Sequence, residues 1–390
     1  LSNPQLSFQL RSLVMVKAEI DIDVLHRQGV QDELIFIVKA APANGKWNTQ
    51  GKYTGYHVWQ GFYPSGKLVM SAGIFLVPGA YTIATIVCDP VSGKRNLSLS
   101  RIQVPGPTTG EAAELLGELP EIDFLGARPV GSERFLLPVK TQRPIQFDLI
   151  VDLSTREESR RWDMPSPPYQ AKGATNPSST PDTERWPAIE KDPSKLTGTA
   201  QEQTREQSRL LEIASVLKEL DFQPGCARVT ALDVLRLRTL LPPTAANAVD
   251  WRQLGNENSA PDKVMVSVTS LEGRKDAGKF FQEQLRQTIT QPPQCKLNSA
   301  NPFHVIAILS HGIHFPSGSN KLKLEAACNC KLFYFYASGL YIGGGDDLKN
   351  MLKPLSPEVL TFSNSQAFRE RLLEFAEAIK KASMNNSKLQ

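Results

Sequence analysis

The segment Lys17–Val24 alternates polar and apolar residues, which places Ala18, Ile20, Ile22 and Val24 on one face of a strand whose other face meets water. Such alternation belongs to antiparallel sheets with one solvated side. Further strand-like runs follow at Leu34–Lys39, His57–Phe62, Lys67–Phe75, Thr82–Cys88 and Leu97–Val104, punctuated by Pro64-Ser65-Gly66, Pro78-Gly79 and Ser92-Gly93. Short strands with Gly/Pro turns and no helical period predict a β-sandwich over residues 1–106. Residues 107–143 read as a connector, with a short helix around Glu111–Leu116 and an extended pair at Glu121–Leu125 and Arg134–Val139.

From residue 144 the pattern changes. The run Phe147-Asp148-Leu149-Ile150-Val151 reads as a buried strand and ends abruptly in Asp152-Leu153-Ser154-Thr155. Residues 156–200 are a different material, with seven prolines between Pro165 and Pro193 amid Ser, Thr, Asn and charges, and we expect a flexible insertion there. Helical spacing returns with Leu210, Ile213, Leu217 and Leu220, followed by a strand at Ala227–Leu235 after Pro224-Gly225. The chain then reads strand Val264–Val268, helix on Ala277, Phe281, Leu285 and Ile289, strand His304–Leu309 and strand Lys331–Tyr336. A short helix opens after Gly343-Gly344-Gly345, with Asp346 or Asp347 as its cap, and a strand at Val359–Phe362 precedes a helix on Phe368, Leu372, Phe375 and Ile379. Strands alternating with helices over 144–384 predict a doubly wound, Rossmann-like, mostly parallel sheet covered on both faces. The expected fold class is therefore multidomain: an antiparallel β-sandwich followed by an α/β unit.

Composition narrows the partners. The 44 basic and 40 acidic residues are interspersed, leaving a net charge of +4 with no basic stripe to neutralise a phosphate backbone, so nucleic acid is not an expected partner. No run approaches the roughly 20 apolar residues of a membrane-spanning helix. The chain begins at Leu1, and we expect a mature form or a fragment whose signal peptide, if any, is already gone. Five cysteines are too few for a disulfide scaffold and lack the paired spacing of a structural zinc site. Cys295 and the pair Cys328 and Cys330 flank the strand at His304–Leu309, a spacing that allows one bridge in an oxidising compartment and equally allows free thiols.

The stretch Val77–Val104, with Gly79-Ala80-Tyr81 before the penultimate strand, resembles the closing hairpin of an immunoglobulin-like or fibronectin-like module. In such modules the tyrosine covers one end of the core. The order of elements over about 145–384, opening on Asp152-Leu153-Ser154, resembles a von Willebrand factor type A domain. The resemblance implies an extracytoplasmic location, secreted or periplasmic, and adhesion to a protein partner. It also implies a divalent cation, magnesium or manganese, held through an Asp-x-Ser-x-Ser loop, a later Thr and a later Asp. Only Asp152 and Ser154 carry over. Arg156 stands where the family has its last Ser, and Ser310-His311-Gly312 stands where it has Thr-Asp-Gly. Both changes disfavour a hard cation, so the metal-dependent adhesion site reads as incomplete and no cofactor is expected.

The leading expectation is a non-enzymatic interaction module whose contact rim comprises Arg156, Ser310, His311, His314 and Asp346 around Asp152 and Ser154. An Asp152–Arg156 ion pair is one way such a rim could do without a cation. A metal-dependent binding domain is the alternative. A hydrolase using His311 or His314 is a third reading, for which no Gly-x-Ser-x-Gly elbow, P-loop or dinucleotide fingerprint offers support. No catalytic residue is assigned.

Overall fold

The computed structural model describes residues 1–27, 33–47, 52–57, 66–106, 116–117, 119–125, 137–154, 209–249, 254, 269–290, 302–313, 315, 330–338 and 346–385. The expected strand Val264–Val268, the glycines 343–345, the insertion 156–200, Arg156 and His314 lie outside them.

The N-terminal part contains β1 (Gln5–Leu6), β2 (Ser12–Asp21), α1 (Ile22–Arg27), β3 (Glu33–Pro42), β4 (Lys52–His57), β5 (Lys67–Leu76), β6 (Gly79–Cys88), β7 (Arg95–Val104) and β8 (Ile122–Phe124). They form two antiparallel four-stranded sheets, ordered β1-β2-β5-β8 and β4-β3-β6-β7. Alternation decides the inner faces: Val14, Val16, Met70 and Ile74 from one sheet share a core with Phe36, Val38, Tyr81 and Ile83 from the other. The Tyr81 hydroxyl donates to the Val77 carbonyl at 3.1 Å, closing one end of that core.

Two sequence expectations change here, and a third falls almost wholly outside the described residues. The alternation starting at Lys17 does not run to Val24, because Ile22–Arg27 is helical. Ile22 and Leu25, three apart, share the buried helical face, and the Ile22 amide donates to the Gly66 carbonyl at 3.0 Å. The strand expected at His57–Phe62 shares only His57 with β4, and 58–62 lie outside the described residues. The extended segments near 121–125 and 134–139 do not pair with each other: β8 joins β5 through Ile74 and Phe124, whereas Leu137 opens a strand of the next sheet.

That sheet is built from β9 (Leu137–Asp152), β10 (Leu220–Asp233), β11 (Arg238–Ala245), β12 (Phe303–Ser310), β13 (Cys330–Ala337) and β14 (Glu358–Phe362). Its order is β11-β10-β9-β12-β13-β14, parallel throughout except for β11. Counted from β9, this is 3-2-1-4-5-6, with the direction of winding reversing between β9 and β12. β10 begins at Leu220, earlier than the sequence suggests, and runs through Pro224-Gly225 with a shift of register. Leu220 therefore opens a strand instead of closing the helix at 209–218, α2.

The other helices are α3 (Thr269–Thr290), α4 (Asp347–Leu352) and α5 (Ser365–Asn385). The strand period of two separates the faces. Phe147, Leu149 and Val151 look toward Leu210 and Leu217 of α2 and toward Phe368, Leu372 and Phe375 of α5. Phe375 seats its ring 4.6 Å from Phe333 and 5.1 Å from Phe335. Ile150, Ile306, Ile308 and Tyr334 look the other way, toward Phe281 and Leu285 of α3 and Leu348 of α4.

The N-terminal segment ties the two parts together. Phe8 lies 6.4 Å from Phe362 and 6.0 Å from Phe368, and Ser365 Oγ donates to the Leu6 carbonyl at 2.5 Å. Leu10, Leu116 and Leu119 join the α2/α5 core, and Arg11 is buried with its guanidinium 3.2 Å from Asp123 Oδ2. Among the described residues no helix is long and apolar enough to cross a membrane.

Candidate functional site

Open α/β sheets bind ligands beyond the carboxyl ends of their strands, where the winding reverses. Here that point lies between the ends of β9 and β12, which carry Asp152 and Ser310. The two residues are joined directly: Ser310 Oγ donates to Asp152 Oδ2 at 3.0 Å. Asp152 Oδ1 accepts from Ser154 Oγ at 2.6 Å and from the Ser154 amide at 3.1 Å. The carboxylate is 0% exposed. Each serine hydroxyl also accepts a backbone amide, Leu235 N to Ser154 Oγ and Gly312 N to Ser310 Oγ, both at 3.1 Å. One carboxylate thus gathers the ends of β9, β10 and β12.

Beyond β12 the chain turns at Gly312, whose φ is +91° and whose absent Cβ would lie 2.8 Å from the Tyr336 ring. The turn is fastened to the start of α4, with Asp347 N donating to the Ile313 carbonyl at 2.9 Å and Asp347 Oδ2 accepting from Phe315 N at 2.7 Å. Asp346 caps α4 by accepting from Lys349 N at 3.3 Å, the role expected of Asp346 or Asp347.

Beneath this turn lies Tyr334, fully buried on the face shared with Asp152. Burial drives its hydroxyl well above the usual tyrosine range, and the charges of Asp346 and Asp152 add to this. Burial also raises the Asp346 carboxyl, outweighing the pull of Tyr334 and of the Lys349 and Ile313 amides. The Tyr334 hydroxyl and Asp346 Oδ2 face each other without reaching hydrogen-bond geometry, and His311 Nδ1 is likewise buried without a partner. The structure therefore brings Asp152, Ser154, Ser310, Tyr334 and Asp346 to one edge of the sheet. Both serine hydroxyls donate to Asp152, not to a histidine.

A second polar cluster escaped sequence reasoning. Asp148, two residues before Ile150 on the same face, accepts from Arg228 Nε at 2.6 Å, Arg228 Nη2 at 2.9 Å and Gln146 Nε2 at 2.9 Å. His304 Nε2 lies 2.7 Å from Asp148 Oδ2. Burial alone would raise this carboxyl, but the hydrogen bonds from His304, Arg228 and Gln146 and the charge of Arg228 hold it below the ordinary range. The only sequence signal was a charged residue inside each of two strongly apolar strands.

Cys226 and Cys330 are disulfide-bonded and Cys88 is a free thiol. Cys226 and Cys330 occupy the same level of the sheet but on β10 and β13, with β9 and β12 between them. Three strand spacings, about 14 Å, exceed the reach of one disulfide. The partner of each lies outside the described residues.

No family model and no curated protein matches this chain. Among solved structures, it is similar at 11% identity and a TM-score of 0.20 to a Bacteroides uniformis beta-glucuronidase, over 92% of this chain and 38% of that one. A calcium-binding mutant of Bacteroides uniformis beta-glucuronidase 2 follows at 10% identity and a TM-score of 0.18, over 96% and 44%. The chain spans about two fifths of the length of these structures.

Proposed function

We propose that this protein is a non-enzymatic, extracytoplasmic interaction module: an immunoglobulin-like sandwich joined to a type A-like domain that presents a partner-binding rim without a cation. The carrying observation is the buried Asp152 carboxylate, both of whose oxygens are engaged by three donors from Ser154 and Ser310. In a metal-dependent site a cation would balance this charge and draw the loops together. Here neutral hydroxyls and an amide solvate the carboxylate and join the loops in its place. The oxygens of Asp152, Ser154 and Ser310 are engaged with one another and with backbone amides, and His311 stands where a hard cation would prefer a carboxylate. The donor set fits magnesium poorly. The 3-2-1-4-5-6 order, the antiparallel β11 and the Tyr81–Val77 hydrogen bond support the two resemblances. Disulfides at Cys226 and Cys330 favour an oxidising compartment.

A metal-dependent reading has one observation in its favour, the convergence of three oxygen-bearing side chains at the reversal point. Thermal unfolding separates the two readings. The chain is melted in EDTA and then with magnesium, manganese or zinc, alongside Asp152→Ala. A cation at 100 times its dissociation constant would add about 2.7 kcal/mol. The expected result is no metal-dependent shift. A magnesium or manganese shift that vanishes in Asp152→Ala would replace this proposal with the metal-dependent one.

A further inference from the structure

Among the described residues β7 is an edge strand with no proline, glycine or bulge to interrupt its free edge. It spans ten residues and, among those described, pairs only with β6. One edge of the six-stranded sheet is treated differently: β11 carries Pro242-Pro243 and its ladder is irregular.

The ladder fixes which groups of β7 are free. Asp89 N donates to the Lys94 carbonyl at 2.9 Å, so that pair is hydrogen-bonded, and strict alternation assigns Asn96, Ser98, Ser100 and Ile102 to β6. The amides and carbonyls of Arg95, Leu97, Leu99, Arg101 and Gln103 therefore point away from β6. The side chains of these same residues lie on the outer face, away from the sandwich core. Leu97 is 57% and Leu99 60% exposed, beside Ile86 and Ala84 of β6. Arg95 and Arg101 flank the leucines, and among the described residues no ion pair engages either. Asp89, at the turn that opens β7, is committed to that turn through the Val91 and Ser92 amides and the Ser92 hydroxyl.

We propose that the β7 edge binds an extended segment of a partner protein by strand addition, and that the segment carries acidic and apolar side chains in the order acid-x-apolar-x-apolar-x-acid. The backbone edge supplies the hydrogen bonds, the two leucines the apolar contacts, and the two arginines the selection for charge. The order Arg-x-Leu-x-Leu-x-Arg is a palindrome, so an antiparallel partner meets the same sequence of demands. A second copy of this chain does not satisfy them: self-pairing centred on Ser98 sets Arg95 against Arg101 of the copy, a like-charge contact.

The test uses the full chain and a fluorescein-labelled peptide, Glu-Thr-Val-Thr-Val-Thr-Glu with blocked ends, read by anisotropy, with a counterpart bearing Lys in place of Glu. The acidic peptide should bind at least tenfold more tightly than the basic one and weaken several-fold between 50 and 300 mM salt. Leu99→Pro removes one outward amide while sparing the bonds to β6, and it should abolish binding with little change in melting temperature. Leu99→Thr, which keeps that amide, should retain measurable binding. The double variant Arg95→Glu, Arg101→Glu should reverse the preference for charge, and it decides the matter should Leu99→Pro not fold. Equal binding of both peptides, no binding of either, or full binding by Leu99→Pro overturns the proposal. So does a dimer of the unmodified chain that Leu99→Pro dissociates, which would assign the edge to a second copy.

Discussion

Asp152 and Asp148 are both buried carboxylates on one face of β9, and they carry different obligations. Asp152 fastens loops, so Asp152→Ala leaves the Ser154 and Ser310 hydroxyls and the Ser154 amide without their acceptor. At about 1–3 kcal/mol for a buried group left unsatisfied, the variant should lose about 3 kcal/mol in chemical denaturation, and Ser310→Ala nearer 1. Asp148 fastens strands, and its principal partner is a full charge. Arg228→Leu would strand that charge in the sheet, for an expected loss of about 3–5 kcal/mol. The pH dependence distinguishes Asp148 further. Its folded pKa lies below its unfolded value, so it contributes stability that is fully present above the unfolded value, near 4, and is lost as pH falls through the folded one. Acid titration of stability should therefore be shallower in Asp148→Asn than in the unmodified chain, after allowance for its lower starting stability.

Between residues and molecule stand the strands and helices, and their legibility in the sequence followed from how local their causes are. The α3 and α5 helices were visible because Phe281 and Leu285, or Phe368, Leu372 and Phe375, recur at helical spacing and are all buried. β9 was visible as an apolar run. β11 was not, because Pro242-Pro243 argues against a strand and only an edge position permits it. Asp152 and Ser154 could be singled out two residues apart, whereas Ser310 reaches Asp152 across 158 positions and Arg228 reaches Asp148 across 80. No pattern within one segment encodes such pairs, and Tyr334 was legible only as an apolar strand residue. The helix α5 offers a sharp test of the packing argument: Phe375 touches the rings of Phe147, Phe333 and Phe335, so Phe375→Ala should cost about 3–5 kcal/mol in urea unfolding.

The two sheet systems share one seam, and its chemistry sets how far they unfold as a unit. On one side are Phe8, Leu10 and Arg11; on the other are Phe362, Phe368 and α2. Within it Glu212 of α2 accepts the Gln9 amide, and burial raises its carboxyl to about 7, the charges of Arg209 and Arg11 only partly opposing this. Because the folded value lies above the unfolded one, near 4.5, the folded chain holds the proton that the unfolded chain has released between those values. Stability must therefore fall as pH rises from about 4.5 to about 7 and stay level beyond, the reverse of the Asp148 contribution. Glu212→Gln keeps an acceptor for Gln9 and removes the titration. The variant should match the unmodified chain near pH 4.5 and exceed its melting temperature at pH 8. If burial at the seam is what couples the two parts, Phe8→Ser should split a single calorimetric transition into two, and reductant should lower only the transition of the part that contains Cys226 and Cys330. The sandwich, whose Cys88 is a free thiol, should melt unchanged, whereas movement of both transitions together would place the coupling elsewhere than at Phe8.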